Sequence, residues 1–134
     1  MTQVSFYLFE KSQERQAQIA CRLCRKLWQK NQMWLFVPEV EQQHALDELL
    51  WNFDASSFLA HGIHQPDAPI CISGQLPTDA HWMVINLSDA ALQQVERFAH
   101  VIEIVEQTEA MKQQGREKFK QYRRDGIEPR TFKL

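Results

Sequence analysis

Five short apolar stretches, separated by segments with helical periodicity, constrain the fold of this chain more than any other feature. They are VSFYLF, MWLFV, APICI, HWMVINL and HVIEIV, at residues 4–9, 33–37, 68–72, 81–87 and 100–105. Runs this short and apolar are typical of strands buried on both faces of a parallel sheet. Helices are predicted at residues 12–31, 39–51 and 90–98, with a last one that ends near Arg124. The alternation predicts a three-layer α/β domain, with a mainly parallel sheet and helices on both faces.

The length and the two ends of the chain predict a single domain. We expect it to span residues 1–134, with Ser12 as the N-cap of the first helix and a short tail at about 127–134. No run of about 18 apolar residues is present, so no membrane span is predicted. The first residues read as a strand rather than a signal peptide, which predicts a cytoplasmic protein with reduced thiols.

The chemistry that often accompanies this fold class is missing from the sequence. A phosphate-binding turn needs glycines after a strand, but the first such turn is FEKSQ at residues 9–13 and the second begins with Pro38. Cys21 and Cys24 form a CxxC in mid-helix rather than at a helix start, where a thiol becomes reactive. With no second CxxC and no HxxxH, a zinc site is not predicted. We therefore expect a nucleotide-binding-like fold without a phosphate loop, and no catalytic residues, cofactor or metal.

A basic segment near the C-terminus points to a binding function. Its six cations are Lys112, Arg116, Lys118, Lys120, Arg123 and Arg124, against one anion, so it carries +5 while the whole chain carries −2. At helical spacing, one face presents Lys112, Arg116, Lys120 and Arg123 as a continuous stripe, with Phe119 at its edge. Either this face is simply solvated, or it binds an acidic partner, since arginine beside an aromatic ring can hold a carboxylate and an apolar group together.

Residues 51–61 (WNFDASSFLAH) interrupt the pattern with large apolar side chains. Trp51, Phe53, Phe58 and Leu59 either fold back onto the core or form an exposed patch that contacts a partner. Tryptophan and phenylalanine dominate interfaces when they insert into pockets. The pattern by itself leaves both interpretations open.

Three stretches, VSFYLF, LDELLWNFDASSFLAH and REKFKQYRRDGIEP, occur in this order along the chain. In sequence and spacing they resemble the chi subunit family of the bacterial DNA polymerase III holoenzyme, and the similarity covers nearly the whole chain. The resemblance implies an α/β fold without a nucleotide site and a protein that is not an enzyme. It also implies two partners: the psi subunit of the clamp-loader complex, and the acidic C-terminal tail of single-stranded DNA-binding protein, which ends in a phenylalanine carboxylate. DNA would be contacted only indirectly, through these partners. The protein itself would be a monomer or a heterodimer with psi.

The same resemblance implies which residues bind each partner. The tail site would comprise Val105, Lys112, Arg116, Phe119, Lys120 and Arg123. Arg116 would bind the terminal carboxylate, Val105 and Phe119 would flank the phenyl ring, and the other cations would attract the preceding aspartates. Phe119 stands where the family usually has tyrosine, so any hydrogen bond from that hydroxyl is lost. The psi interface would comprise Trp51, Phe53, Phe58 and Leu59, followed by Ala60 where many relatives have proline.

Two other classes of function remain open at this point. The first is direct nucleic-acid binding by the basic helix, although a net charge of −2 and a single aromatic residue in the stripe disfavour a base-stacking platform. The second is a small enzyme on a nucleotide-binding-like fold, which the absent glycine motif disfavours.

Overall fold

The computed structural model describes residues 2–9, 13–52 and 60–133. These residues form β1 (Gln3–Leu8), α1 (Gln16–Leu27), β2 (Met33–Phe36), α2 (Val40–Asn52), β3 (His61–Ile63), β4 (Ile70–Ser73), β5 (Met83–Asn86), β6 (His100–Val105), α3 (Glu109–Arg124) and β7 (Arg130–Lys133). The strands form one sheet in the order β3-β4-β2-β5-β6-β1-β7, and all neighbouring pairs are parallel. The predicted parallel α/β fold is confirmed.

Alternate residues of the central strands face two separate cores, as the two-residue period of a strand requires. Along β6, Ile102 and Ile104 pack with residues of α1 and α2 in one core. Val101 and Val105 pack with Tyr122 of α3 in the other. The helices therefore lie on both faces of the sheet, as predicted, with α1 and α2 on one face and α3 on the opposite face.

Two adjacent strands lead to helices on opposite faces. β1 and β6 are parallel neighbours, with Leu8 beside Val105 at their carboxyl ends. The chain continues from β1 to α1 on one face and from β6 to α3 on the other. The two chain segments diverge and leave a crevice, which is the usual ligand position in open α/β sheets.

The prediction of a helix at residues 90–98 is wrong, because the described segment contains only a single 3₁₀ turn at Val95–Arg97. Backbone groups in this segment are bonded to side chains from elsewhere instead of to a helix of their own. The Asn86 amide donates to the Ala90 carbonyl at 2.9 Å, and the Leu92 N–H donates to the Tyr122 hydroxyl at 3.1 Å. Tertiary hydrogen bonds have replaced local ones.

Two strands lie where none was predicted. β3 falls in the segment expected to be irregular, and its three residues pair with β4 from His61 to Ile63. β7 falls in the predicted tail and pairs with β1, where the rings of Tyr7 and Phe132 stack with centroids 5.2 Å apart. Both strands have only three or four residues, which is too short for an alternating pattern to be recognised in the sequence.

The first helix differs from the predicted residues 12–31 at its C-terminal end, since it ends at Leu27. α1 begins at Gln16, after an N-cap at Arg15, whose backbone N–H donates to the Gln18 side chain at 3.1 Å. Ser12, the predicted N-cap, lies outside the described residues. Within the described residues, no helix combines the length and the apolarity needed to cross a membrane.

The cysteines belong to the core. Cys21, Cys24 and Cys71 are free and buried. Burial raises the pKa of the Cys21 thiol to about 12, and it also raises the pKa values of Cys24 and Cys71. Because the thiolate is the reactive form, the CxxC in α1 is a packing feature rather than a redox site.

Candidate functional site

The crevice beside β1 and β6 continues into a groove along α3. Two adjoining cavities, of about 370 and 260 Å³, share Leu8, Val105 and Arg116 as lining residues. The larger cavity is also lined by Phe6, Gly115, Phe119, Lys120, Arg123 and Thr131. The smaller cavity is also lined by Phe9, Glu106, Gln107 and Lys112. We call the two cavities together the α3 groove.

All six residues of the predicted tail site line the α3 groove. Val105 and Phe119 form part of an apolar floor, and Phe119 packs against Phe6 with ring centroids 5.3 Å apart. The rim carries the four predicted cations, Lys112, Arg116, Lys120 and Arg123. The fold thus brings together residues from two separate elements, with positive charge around an apolar cleft.

Local sequence explains why α3 begins where it does. Thr108 is the N-cap, and its hydroxyl oxygen accepts a hydrogen bond from the Met111 N–H at 3.3 Å. About two turns after the N-cap, Gly115 lies against β6: a Cβ atom added there would be 2.9 Å from Cγ2 of Val105. The missing side chain lets α3 approach the sheet closely, although a glycine in mid-helix costs about 1 kcal/mol relative to alanine.

The rim cations differ in their present partners. Lys112, Lys120 and Arg123 lie 3.8, 3.7 and 3.5 Å from carboxylates of Glu109, Glu117 and Glu128, respectively. Exposed pairs of this kind contribute at most about 1 kcal/mol, so an incoming carboxylate can displace them at little cost.

The Arg116 guanidinium is in a different situation. Its hydrogen bond is to a neutral group, the Gln113 amide oxygen, at 3.2 Å. Among the described residues no carboxylate lies within 4.0 Å of it. Because arginine presents a planar fork of donors that matches a carboxylate, Arg116 is well suited to receive one from a ligand.

Lys118 is one of the six cations of the predicted basic segment, but it does not lie on the exposed basic face. Its side chain is only 4% exposed, and its Nζ donates to Glu103 Oε1 at 2.8 Å and to the Ser88 carbonyl at 2.7 Å. A helix has an inner face as well as an outer one, and Lys118 lies on the face that packs on the sheet. The exposed charge of α3 is correspondingly smaller than the sequence suggests.

Glu103 is the centre of a buried polar network beneath α3 that the sequence analysis missed. Its other carboxylate oxygen accepts hydrogen bonds from the Tyr122 hydroxyl and from the Asn86 amide. Burial raises the pKa of Glu103, and the charge of Lys118 together with these hydrogen bonds opposes that rise. Burial and the nearby Glu103 raise the pKa of Tyr122 as well. The signal in the sequence was a lone acid inside the apolar strand HVIEIV, because a buried charge requires a partner.

The predicted psi interface is described only at its first residue. Trp51 is 52% exposed at the end of α2, while Phe53, Phe58 and Leu59 lie outside the described residues. The Trp51 ring lies 4.5 Å from the ring of His61, whose Nε2 is 3.1 Å from Asp47 Oδ1. His61, which had no role in the sequence analysis, thus links β3 to the last turns of α2.

No group of three or more histidine, cysteine, aspartate or glutamate side chains in the described ranges could hold a metal ion. The histidines of the sheet are engaged in structural contacts instead. His100 of β6 contacts Ser5 of the neighbouring β1, with His100 Nε2 3.2 Å from the Ser5 hydroxyl oxygen.

Comparison with known proteins agrees with the fold and with the motifs. The family model described as DNA polymerase III chi subunit, HolC, matches residues 1–130. The chain belongs to the chi subunit family of DNA polymerase III. The DNA polymerase III subunit chi of Pseudomonas aeruginosa is 34% identical over 139 aligned residues, which cover 100% of this chain and 98% of that protein. The predicted family resemblance is confirmed.

More distant chi subunits match shorter parts of the chain. That of Haemophilus influenzae is 32% identical over 116 residues, with 81% of each chain covered. That of Escherichia coli is 27% identical over 125 residues, covering 85% of this chain and 82% of that protein. The family model, which matches residues 1–130, extends across β1, β6 and α3, the elements that supply most of the α3 groove.

Proposed function

We propose that this chi-family protein is a non-catalytic adaptor subunit of DNA polymerase III. In this proposal the α3 groove binds the acidic C-terminal tail of single-stranded DNA-binding protein, and the surface around Trp51 binds the psi subunit of the clamp-loader complex. The protein would thereby couple the polymerase to coated lagging-strand DNA. The observation that carries the proposal is the α3 groove itself, an apolar floor within a rim of four cations.

The groove has the chemistry that an acidic peptide with a C-terminal phenylalanine requires. The terminal carboxylate can form a bidentate pair with Arg116, and the phenyl ring can lie between Val105 and Phe119. Aspartates upstream can take over the exposed pairs that Lys112, Lys120 and Arg123 now make with glutamates. In each exchange a ligand aspartate leaves water while a glutamate returns to it, so the net cost of desolvation is small.

Titration of a fluorescent acidic peptide ending in phenylalanine tests this proposal. We expect saturable binding with a Kd of about 1 μM, near −8 kcal/mol, as is usual for one short peptide. The Kd should rise with added salt, since exposed charges supply much of the attraction. The same peptide without its phenylalanine, or with an amidated C-terminus, should bind far more weakly. No binding at tens of micromolar, or equal binding of all three peptides, would refute the proposal.

The psi surface is tested by a single substitution at a described residue. Trp51→Ala should abolish co-purification with psi and leave peptide binding unchanged, because Trp51 is 52% exposed and lies on α2, on the opposite face of the sheet from α3. Val40→Ala, at a 62% exposed apolar residue that starts the same helix, is the matched control and should retain psi. Normal psi binding by the Trp51 variant would contradict this assignment.

Direct DNA binding receives less support from the structure than from the sequence. Lys118 is buried and unavailable to a phosphate backbone, and the rim cations surround an apolar floor, which suits an apolar side chain better than a chain of phosphates. An oligonucleotide that bound tightly and competed with the peptide in the same titration would favour this alternative.

A further inference from the structure

Among the described residues, β7 has a strand partner on one side only, and its residue Thr131 lines the α3 groove. β7 is the last strand in the sheet order, and within the described residues it pairs only with β1, from Arg130 beside Ser5 to Lys133 beside Leu8. All four of its residues are exposed. An edge strand presents unpaired backbone N–H and C=O groups along its free side. Such an edge can accept an extended peptide as a further strand.

The edge is continuous with the groove. Thr131 of β7 lines the same cavity as Arg116 and Phe119. Strands lie about 4.8 Å apart, so β7, two strands from β6, is roughly 10 Å from Val105. An extended chain covers about 3.3 Å per residue and crosses this distance in about three residues. A strand added beyond β7 lies one spacing further, about 14 Å from Val105, so a peptide whose last residue lies at Val105 reaches that edge about four residues upstream.

The charge of the edge favours an acidic peptide. β7 has the sequence RTFK, so its first and last residues are cations. In the part of the chain that the structure describes, no carboxylate lies within 4.0 Å of the Arg130 guanidinium. Phe132 lies between Arg130 and Lys133 in the strand and is 39% exposed. It provides apolar surface on the face of β7 opposite Thr131.

We propose that the outer edge of β7 takes an acidic peptide as an added β-strand, and that this peptide is the segment preceding the terminal phenylalanine of the ligand in the α3 groove. Backbone hydrogen bonds to β7 supply affinity, while Arg130 and Lys133 select for carboxylates. This inference rests on the proposed function and extends it, because it assigns a bound conformation to residues that do not enter the groove.

The decisive experiment alters the peptide, so the protein stays intact. Two labelled acidic peptides with the same C-terminus, of about four and about ten residues, are titrated, and the longer one is N-methylated at one upstream amide at a time. We expect the longer peptide to bind about tenfold more tightly, the effect of a few net hydrogen bonds. Because alternate residues of a strand face its neighbour, this gain should be lost on methylation at every second position and kept at the positions between.

A charge-reversal pair provides the protein-side test. Arg130→Glu with Lys133→Glu should abolish the gain of the longer peptide and leave binding of the short peptide nearly unchanged. Lys26→Glu with Lys30→Glu, an equal charge change at exposed residues of α1 and the turn after it, should preserve the gain. Phenylalanine-dependent binding of the short peptide with no gain from length, or a gain insensitive to every methylation, would overturn strand addition and leave the proposed function standing. Failure of both peptides to bind would refute both.

Discussion

Replacing Lys118 with methionine is expected to lower the free energy of unfolding by about 3–5 kcal/mol, the usual cost of removing one partner of a buried ion pair. Lys118 Nζ lies 2.8 Å from Glu103 Oε1, and the two side chains are 4% and 1% exposed. Methionine has a similar length and fills the same space, so no large cavity forms. The loss of stability therefore reflects the carboxylate of Glu103, which stays buried without its cation. Urea unfolding followed by tryptophan fluorescence measures it.

The pH dependence of this variant identifies Glu103 as the cause. Burial raises the pKa of Glu103 even beside Lys118, and without that cation the pKa should rise further. A carboxyl whose pKa is higher in the folded than in the unfolded state stabilises the fold at low pH, and this contribution is lost as the pH rises through the folded pKa. The deficit relative to the parent should therefore be smaller at about pH 5 than at about pH 8.

Two further variants provide the controls. Glu103→Gln combined with Lys118→Met removes both charges and should recover most of the loss, while its stability difference from the parent should vary little with pH. Lys120→Met, at an exposed position of the same helix, should change stability by no more than about 0.5 kcal/mol. A Lys118→Met variant as stable as the parent at both pH values would show that the network does not support α3.

Arg116→Ala is expected to weaken binding of the acidic peptide by roughly 30-fold, which corresponds to about 2 kcal/mol for a hydrogen-bonded ion pair. Such a change raises a micromolar Kd to tens of micromolar. Arg116 is exposed, and its contact among the described residues is with the Gln113 amide, so the fold should be unaffected. Phe119→Ala should also reduce binding severely, through the lost contact with the phenyl ring.

A matched arginine lies on the same helix. Arg124 is exposed and bonded to the Gln121 amide oxygen at 3.2 Å, but it lines a polar cavity with Asp125 rather than the α3 groove. Arg124→Ala should bind the peptide like the parent. Arg116→Lys should fall between, because lysine keeps the charge without the planar fork. If Arg124→Ala weakened binding and Arg116→Ala did not, the ligand would occupy the other side of α3.

Some of the wrong predictions have a common origin in long-range contacts. Residues 90–98 have a helical pattern, yet Asn86 and Tyr122, on other elements, bind the backbone of this segment. Lys118 was counted only as one cation of the basic segment, yet its side chain binds Glu103, fifteen residues earlier in the chain. Helical periodicity describes neighbours three and four residues apart, so it contains no information about partners on other elements.

Sequence patterns alone were enough to predict the parallel α/β architecture, the family and the residues of the cationic stripe. These depend on short-range patterns: the apolar runs, the helical spacing of Lys112, Arg116 and Lys120, and motifs in a constant order. Three features became visible only in the folded chain: β7 extends the sheet, Lys118 faces inward, and Val105 and Phe119 line one groove with Arg116. The first depends on strand pairing, the second on the burial of a charge, and the third on the packing of α3 against the sheet. All three require contacts between residues that are distant in sequence, and local patterns do not specify such contacts.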